Sequence, residues 1–264
     1  IMIGLFLGEK DLPNEIIKKI ERKKIKYFII DLTKNNKFKK NKNSFFINIG
    51  KFGEILKLIK LKKCNKVIFA GNIIKPKLSK LKLDIRGLFY IPRIVKASKL
   101  GDAAILKVLI KILSENKIKV IKLNTFNPEL TLNKGIYTKT RPTLFEKEEI
   151  VKGIKELKKI NSHNHTQAVI IRDNKIISRE TRKGTKVMIK SVTKSKIKKG
   201  ILIKLPKTKQ DLRVDLPTIG IDTFKDCNEV GIKGIVIKSN QNIILNKEAC
   251  IKYANQNKLF LIAI

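Results

Sequence analysis

The feature that most restricts this chain is an alternation of two periodicities. Short apolar runs rich in β-branched residues are separated by stretches in which apolar residues recur at helical spacing. Residues 2–7 are apolar and are followed by Gly8, Glu9, Lys10, Asp11, Leu12 and Pro13. Ile16, Ile17 and Ile20 then fall on one helical face among lysines. Residues 27–32 form a second apolar run, and 33–44 are polar and rich in Asn and Lys. Phe52, Ile55, Leu56 and Ile59 mark a second helix, and 67–70 a third strand ending in Gly71 and Asn72. Residues 95–115 have a helical pattern with Ala103, Ala104, Leu106, Leu109 and Ile110 inward, and 119–123 read as another strand. Strands that alternate with helices must lie parallel, with the helices covering both faces of the sheet.

The second half is again mixed α/β. Residues 124–143 hold two prolines and a glycine and read as the interdomain connection, dividing the chain into 1–130 and 131–264. A helix is predicted over 146–160, a hairpin over 167–171 and 175–178, and a strand over 200–205. A helix over 224–230, strands over 235–237 and 242–245, a helix over 247–257 and a last strand over 259–262 complete the reading.

Charge needs a separate argument. The 60 Lys and Arg against 22 Asp and Glu give a formal net charge of +38. The cations are 52 Lys and only 8 Arg, beside 45 Ile and 21 Asn, with 8 Ala and no Trp. That profile is what coding bias toward adenine and thymine produces on any fold. Lysines are spread along the chain rather than gathered, and base-reading proteins favour Arg. No specific nucleic-acid partner is therefore expected. An anionic membrane surface or a polyphosphate ligand are the competing uses of the charge. No apolar run approaches the roughly 18 residues of a membrane span, and no leader-like apolar stretch opens the chain. The 3 cysteines, Cys64, Cys227 and Cys250, have no metal-ligand spacing and fit a reducing cytoplasm. His163 and His165 are the only histidines and read as a solvated loop.

The densest polar stretch runs from Lys204 to Gly220. If 211–215 are extended, Asp211, Arg213 and Asp215 point to one side, a cation between two carboxylates with lysines just upstream. Such a set can clamp phosphate oxygens and hold a metal or a water. A surface ion-pair ladder on an edge strand explains the same residues. Gly8 and Gly184-Thr185 offer loops that a phosphate could approach, or plain turns. Gly71-Asn72 ends a strand at the carboxyl edge, where open α/β sheets take ligands.

In order and spacing, Gly4 to Gly8, Leu12-Pro13, Phe69 to Asn72, Arg86-Gly87, Gly101-Asp102, Gly184-Thr185, Lys207, Gln210, Arg213 to Gly220 and Gly231 to Ile235 resemble the I-type UDP-2,3-diacylglucosamine pyrophosphatases of lipid A biosynthesis. The stretch R-V-D-L-P-T-I-G is the most specific part. The resemblance implies two α/β domains, the first Rossmann-like, with the substrate held between them. It implies hydrolysis of UDP-2,3-diacylglucosamine to UMP and 2,3-diacylglucosamine 1-phosphate, water attacking the α-phosphorus with a divalent metal, Mg²⁺ or Mn²⁺. It makes Asp215 the catalytic aspartate and metal ligand. With the reading above, Arg213 and Lys207 go to phosphate oxygens and Gln210 to a polar substrate contact. Gly184, Thr185, Gly8, Gly71 and Asn72 are further substrate contacts. Four positions acidic in the family are Ala103, Lys183, Lys186 and Lys238 here, which bears on metal binding and turnover.

Overall fold

A computed structural model describes residues 2–73, 82–100, 102–163, 166–208 and 211–264. Their contacts divide the chain into two units, Ile1–Asn127 with Asp211–Val214, and Pro128–Gln210 with Asp215–Ile264. Unit membership is thus not sequential: four residues of the polar stretch count with the first unit.

The first unit is an open, wholly parallel five-stranded sheet in the order β3-β2-β1-β4-β5. Its strands are β1 (Met2–Leu7), β2 (Lys26–Asp31), β3 (Ser44–Phe46), β4 (Lys66–Ala70) and β5 (Lys119–Val120). β1 lies in the middle and is buried from Ile3 to Leu7, as a strand covered on both faces must be. The covering helices are α1 (Leu12–Arg22), α2 (Phe52–Leu61), α3 (Ile85–Ser98) and α4 (Asp102–Glu115). α1 opens with Pro13 in its first turn, where no amide partner is missed, and buries Ile16 and Ile20. Strand order reverses between β1 and β4, so the loops after these two strands flank the switch point.

Three local expectations need correction. The single helical pattern over 95–115 is two helices, α3 and α4. α3 starts ten residues earlier because Asp84 caps it: one carboxylate oxygen accepts from Gly87 N at 2.7 Å and the other from Glu54 N at 2.8 Å. Second, the strand over 119–123 stops at Val120, and Leu123 begins the short α5 (Leu123–Phe126). Third, the 33–44 loop is organised by the fully buried Asp31, whose carboxylate accepts from Thr33 N, Thr33 Oγ1 and Phe38 N at 2.6–2.9 Å. It feeds β3, which the sequence pattern did not mark.

The second unit is built on a six-stranded mixed sheet. Its strands are β6 (Gly135–Ile136), β7 (Ala168–Arg172), β8 (Lys175–Arg179), β9 (Ile201–Lys204), β11 (Gly234–Ile237) and β13 (Phe260–Ala263), in the order β6-β13-β11-β9-β7-β8. β9, β11 and β13 are parallel; β7, β8 and β6 run antiparallel to their neighbours. A small parallel pair joins β10 (Thr218–Ile219) to β12 (Ile243–Ile244). β7 and β8 form the expected hairpin, turned by Asp173 and Asn174 at φ 50° and 57°.

Alternation along β9 sorts its side chains between two cores. Ile201 and Ile203 pack with Leu157 of α6 (Leu144–His163). Leu202 packs with Met188 and Ile189 of α7 (Thr185–Lys190), Phe224 and Cys227 of α8 (Ile221–Glu229) and Cys250 and Ala254 of α9 (Lys247–Gln256). α7 is a further element the sequence pattern did not mark. No sheet runs through both halves among the described residues: one uses strands within 2–120, the other within 135–263.

Candidate functional site

At the carboxyl edge of the first sheet, the loops after β1 and β4 bond to each other. Gly8 N donates to Ala70 O at 2.9 Å, Glu9 N to Asn72 O at 2.8 Å and Asn72 N to Glu9 O at 3.1 Å. The two backbones lie so close that a Cβ on Gly8 would stand 2.6 Å from the Asn72 carbonyl carbon, and one on Gly71 2.6 Å from Glu9 O. Gly71 also has φ +88°, a left-handed conformation that suits glycine. Close approach thus accounts for Gly8 and Gly71, and the amides of Gly8, Glu9 and Asn72 already donate within the crossing.

The corresponding edge of the second sheet carries side chains instead. Lys204 ends β9 after Ile201, Leu202 and Ile203, and is 6% exposed. Period two places it on the Leu202 face, toward the start of α7. Its Nζ donates to Thr185 Oγ1 at 2.8 Å and to Thr218 O at 3.1 Å. Thr185 Oγ1 donates in turn to Glu180 Oε1 at 2.5 Å, and Glu180 Oε2 accepts from Gln167 N at 3.1 Å. Glu180 is 7% exposed. Asn242, fully buried, donates through Nδ2 to Lys204 O at 3.0 Å and accepts from Lys238 N at 2.9 Å. Gly184, just before α7, has φ +86° and ψ 172°, a region open essentially to glycine alone, with nothing within 4 Å of a would-be Cβ. The Thr185 hydroxyl, a candidate substrate contact, thus has its proton directed at Glu180.

From Lys204 the chain passes through the half-buried Lys207 toward Asp211. Gln210 lies outside the described residues, as do Gly101 and His165. The expectation of an extended 211–215 is overturned. Val214 N donates to Asp211 O at 3.1 Å, closing a turn. The Asp211 carboxylate accepts from Arg213 N at 3.0 Å, Nε at 2.9 Å and Nη2 at 2.7 Å. An acidic side chain bonding its own backbone two residues on competes with the extended form and wins. The Arg213 guanidinium holds the Asp211 carboxyl below the usual range, and burial opposes this less strongly. Arg213 is therefore oriented by Asp211, and Asp215 does not share a face with it through strand alternation. Asp215 is half-buried, and among the described residues no hydrogen bond or ion pair engages its carboxylate.

The donor set bears on a metal. Among the described residues no group of three or more His, Cys, Asp or Glu side chains converges as a cage would require. Asp215 supplies one unengaged carboxylate, which fits a hard cation shared with substrate phosphates and water rather than a preformed protein cage. Lys183 and Lys186, beside Gly184 and Thr185, are exposed, and Lys238 is half-buried.

Glu180 and Asn242 are residues of this arrangement that sequence reading missed, and Lys204 was read only as the start of a polar stretch. The signal was a lysine closing an otherwise apolar strand, hidden among 52 lysines.

Residues 2–130 match the LpxI N-terminal domain and residues 133–262 the LpxI C-terminal domain. The chain belongs to the LpxI family. It is similar to the UDP-2,3-diacylglucosamine pyrophosphatase LpxI of Caulobacter vibrioides, at 29% identity over 226 residues, 83% of this chain and 81% of that protein. The family's N-terminal domain holds Gly8, Gly71 and Asn72. Its C-terminal domain holds Thr185, Lys204, Lys207, Arg213 and Asp215. Arg213 thus belongs to the C-terminal domain by family and to the first unit by its contacts.

Proposed function

We propose that this protein hydrolyses UDP-2,3-diacylglucosamine to UMP and 2,3-diacylglucosamine 1-phosphate in lipid A biosynthesis. The observation that carries the reading is family membership along the whole chain, with Arg213-Val214-Asp215-Leu216-Pro217 intact and the Asp215 carboxylate unengaged. Water attacks the α-phosphorus; the bond from that phosphorus to the bridging oxygen breaks, and the sugar 1-phosphate leaves. Such an anhydride persists in water because its negative oxygens repel nucleophiles, so catalysis requires cations on the oxygens and an oriented water. Lys207 and Arg213 neutralise phosphate oxygens, with Arg213 already aimed by Asp211. Asp215 orients the water, or would hold Mg²⁺ or Mn²⁺ if one binds. A bound divalent ion would supply further charge neutralisation at the phosphates.

The strand order with its switch point between β1 and β4 supports a Rossmann-like reading of the first unit. No helix among the described residues is long and apolar enough to cross a membrane. The cytoplasmic location and contact with an anionic leaflet form part of the proposal. One exposed stripe of α3 supports that contact: Ile85, Leu88 and Phe89 are 87%, 58% and 73% exposed, and the stripe continues into Lys96 and Lys99.

A second reading, a lipid–nucleotide binding protein of low turnover, is favoured by Lys183 and Lys186, which stand where the motif resemblance implies acidic residues. UMP release from UDP-2,3-diacylglucosamine by purified protein, with and without Mg²⁺ or Mn²⁺, separates the two. Metal-stimulated release carries the enzyme reading. Tight substrate binding without release carries the other.

A further inference from the structure

Lysine is an expensive residue to place where Lys204 sits. The rest of β9 is wholly buried and apolar, and Lys204 as a whole is only 6% exposed. Burying a charge costs several kcal/mol unless it is paired and hydrogen-bonded, and a valine would serve the strand better. What the lysine provides is reach in two directions. Through Thr185 Oγ1 it meets the buried Glu180, so cation and carboxylate are joined by one hydroxyl. Through Thr218 O it meets β10, on the far side of residues 205–217.

The chain leaves β9 at Lys204 and enters the separate β10–β12 pair at Thr218, with Lys207, Arg213 and Asp215 between in sequence. Both ends are tied at the base. Leu205 N donates to Gln167 O at 2.9 Å, Ile243 N to Pro217 O at 2.9 Å, and Asn242 Nδ2 to Lys204 O at 3.0 Å. The Lys204 ammonium joins the outgoing end directly to the returning end through Thr218 O. We propose that Lys204 is a positioning residue: its buried ammonium, balanced by Glu180 through Thr185, clasps the two ends of the 205–217 segment and so fixes where Asp215 stands. This rests on the enzyme reading for its catalytic consequence, and on geometry alone for the clasp.

The test separates clasp from charge balance. Lys204→Met keeps length and removes the ammonium, but leaves the buried Glu180 carboxylate without its cation and should lower the melting temperature. Lys204→Met combined with Glu180→Gln removes both charges while the glutamine oxygen still accepts from Thr185, and should restore the melting temperature. Two readouts are then taken on the double variant. Hydrogen exchange of the amides of Leu205 and of 211–216 should be about tenfold faster or more, with β11 and β13 unchanged, because the clasp is lost. The kcat for UMP release should fall by about a hundredfold with KM within about threefold, as a small misplacement of a reacting group predicts. Parent-like exchange and parent-like kcat in the double variant would overturn the proposal and leave Lys204 a balanced charge only. If the parent itself releases no UMP while the exchange difference holds, the clasp stands and the enzyme reading fails.

Discussion

The two sheets end at their carboxyl edges in opposite ways. In the first unit the loops after β1 and β4 are stitched by backbone bonds among Gly8, Glu9, Ala70 and Asn72. In the second, β9 ends in a buried cation tied to Thr185, Glu180 and Thr218. The first edge is a matter of space, and what it requires is the missing Cβ of glycine. The second is a matter of charge and direction, and what it requires is a particular functional group at each position. Substitutions at the two edges should therefore fail differently, in stability at one and in rate at the other.

The largest expected effect is at Asp215. Asp215→Asn keeps the shape and removes the charge that would hold a cation or orient water. UMP release at saturating metal and substrate should fall by about a hundredfold or more, the range for loss of a positioned acid/base or electrostatic group. Substrate affinity, measured by calorimetry on the same variant, should persist. An unchanged rate would remove Asp215 from the chemistry and reduce the second edge to structure.

Next is Gly8→Ala at the first edge. The added Cβ meets the Asn72 carbonyl carbon at 2.6 Å and Ile73 N at 2.9 Å, both backbone atoms that cannot swing aside. One of the two loops must shift, at a cost of about 2 kcal/mol. Thermal unfolding checks this. A variant as stable as the parent would mean that the crossing is loose and the glycine serves something else.

This division explains what could be read from the sequence. Strands such as Met2–Leu7 and helices such as Leu12–Arg22 were legible because burial on both faces leaves a continuous apolar run and burial on one face leaves a helical period. Short elements escaped. β3 has three residues and α7 six, too few to display a period. The break between α3 and α4 was hidden because both helices are apolar and the first contains Pro92 and Gly87, which argue against a helix locally. At the site, the motif carrying Asp215 was legible as a motif, whereas its geometry was not. Whether Asp211 bonds its own turn or lines up along a strand depends on a competition that residue spacing does not decide. Lys204 was legible only as the first residue of a polar stretch: in a chain where lysine is the default cation, only burial distinguishes the one that works inside.

A smaller effect is expected at Asp211, which both carries a charge and orients Arg213. Asp211→Asn removes the charge from a pair with Arg213, whose side chain is 42% exposed, so screening limits the loss to about 1 kcal/mol or less. The Arg213 hydrogen bonds hold the Asp211 pKa below its ordinary value, against the opposing effect of burial. A depressed carboxylate stabilises the fold above the unfolded pKa of about 3.9, and that contribution disappears as pH falls through the folded value. Parent and variant should therefore differ in urea midpoint at pH 7 and converge in acid below the depressed value. The rate should fall about tenfold at most, since Arg213 is mis-aimed but present. A loss equal to that of Asp215→Asn would place Asp211 in direct contact with the chemistry.

The smallest effect concerns the thiols, and it extends the comparison from the edges to the two cores. Cys64 packs in the first core; Cys227 and Cys250 pack in the second. All three are reduced and buried. Burial raises each thiol, Cys250 to about 12 and Cys227 further, while Cys64, bonded to Lys66 O at 3.1 Å and 7% exposed, is raised as well. Only the thiolate reacts with an alkylating agent, so a raised pKa and a closed core both suppress reaction. Native protein at pH 7 should resist iodoacetamide over hours with no change in UMP release, and all three thiols should react once urea unfolds it. At intermediate urea, peptide mapping reads the two units separately, because each cysteine reports the opening of its own core. Cys64 should react first, being the most exposed of the three. Cys227 and Cys250 should follow together, since they share one core and open with it. Reaction of Cys227 ahead of Cys64 would show that the side-chain-clasped unit, rather than the backbone-stitched one, is the weaker of the two.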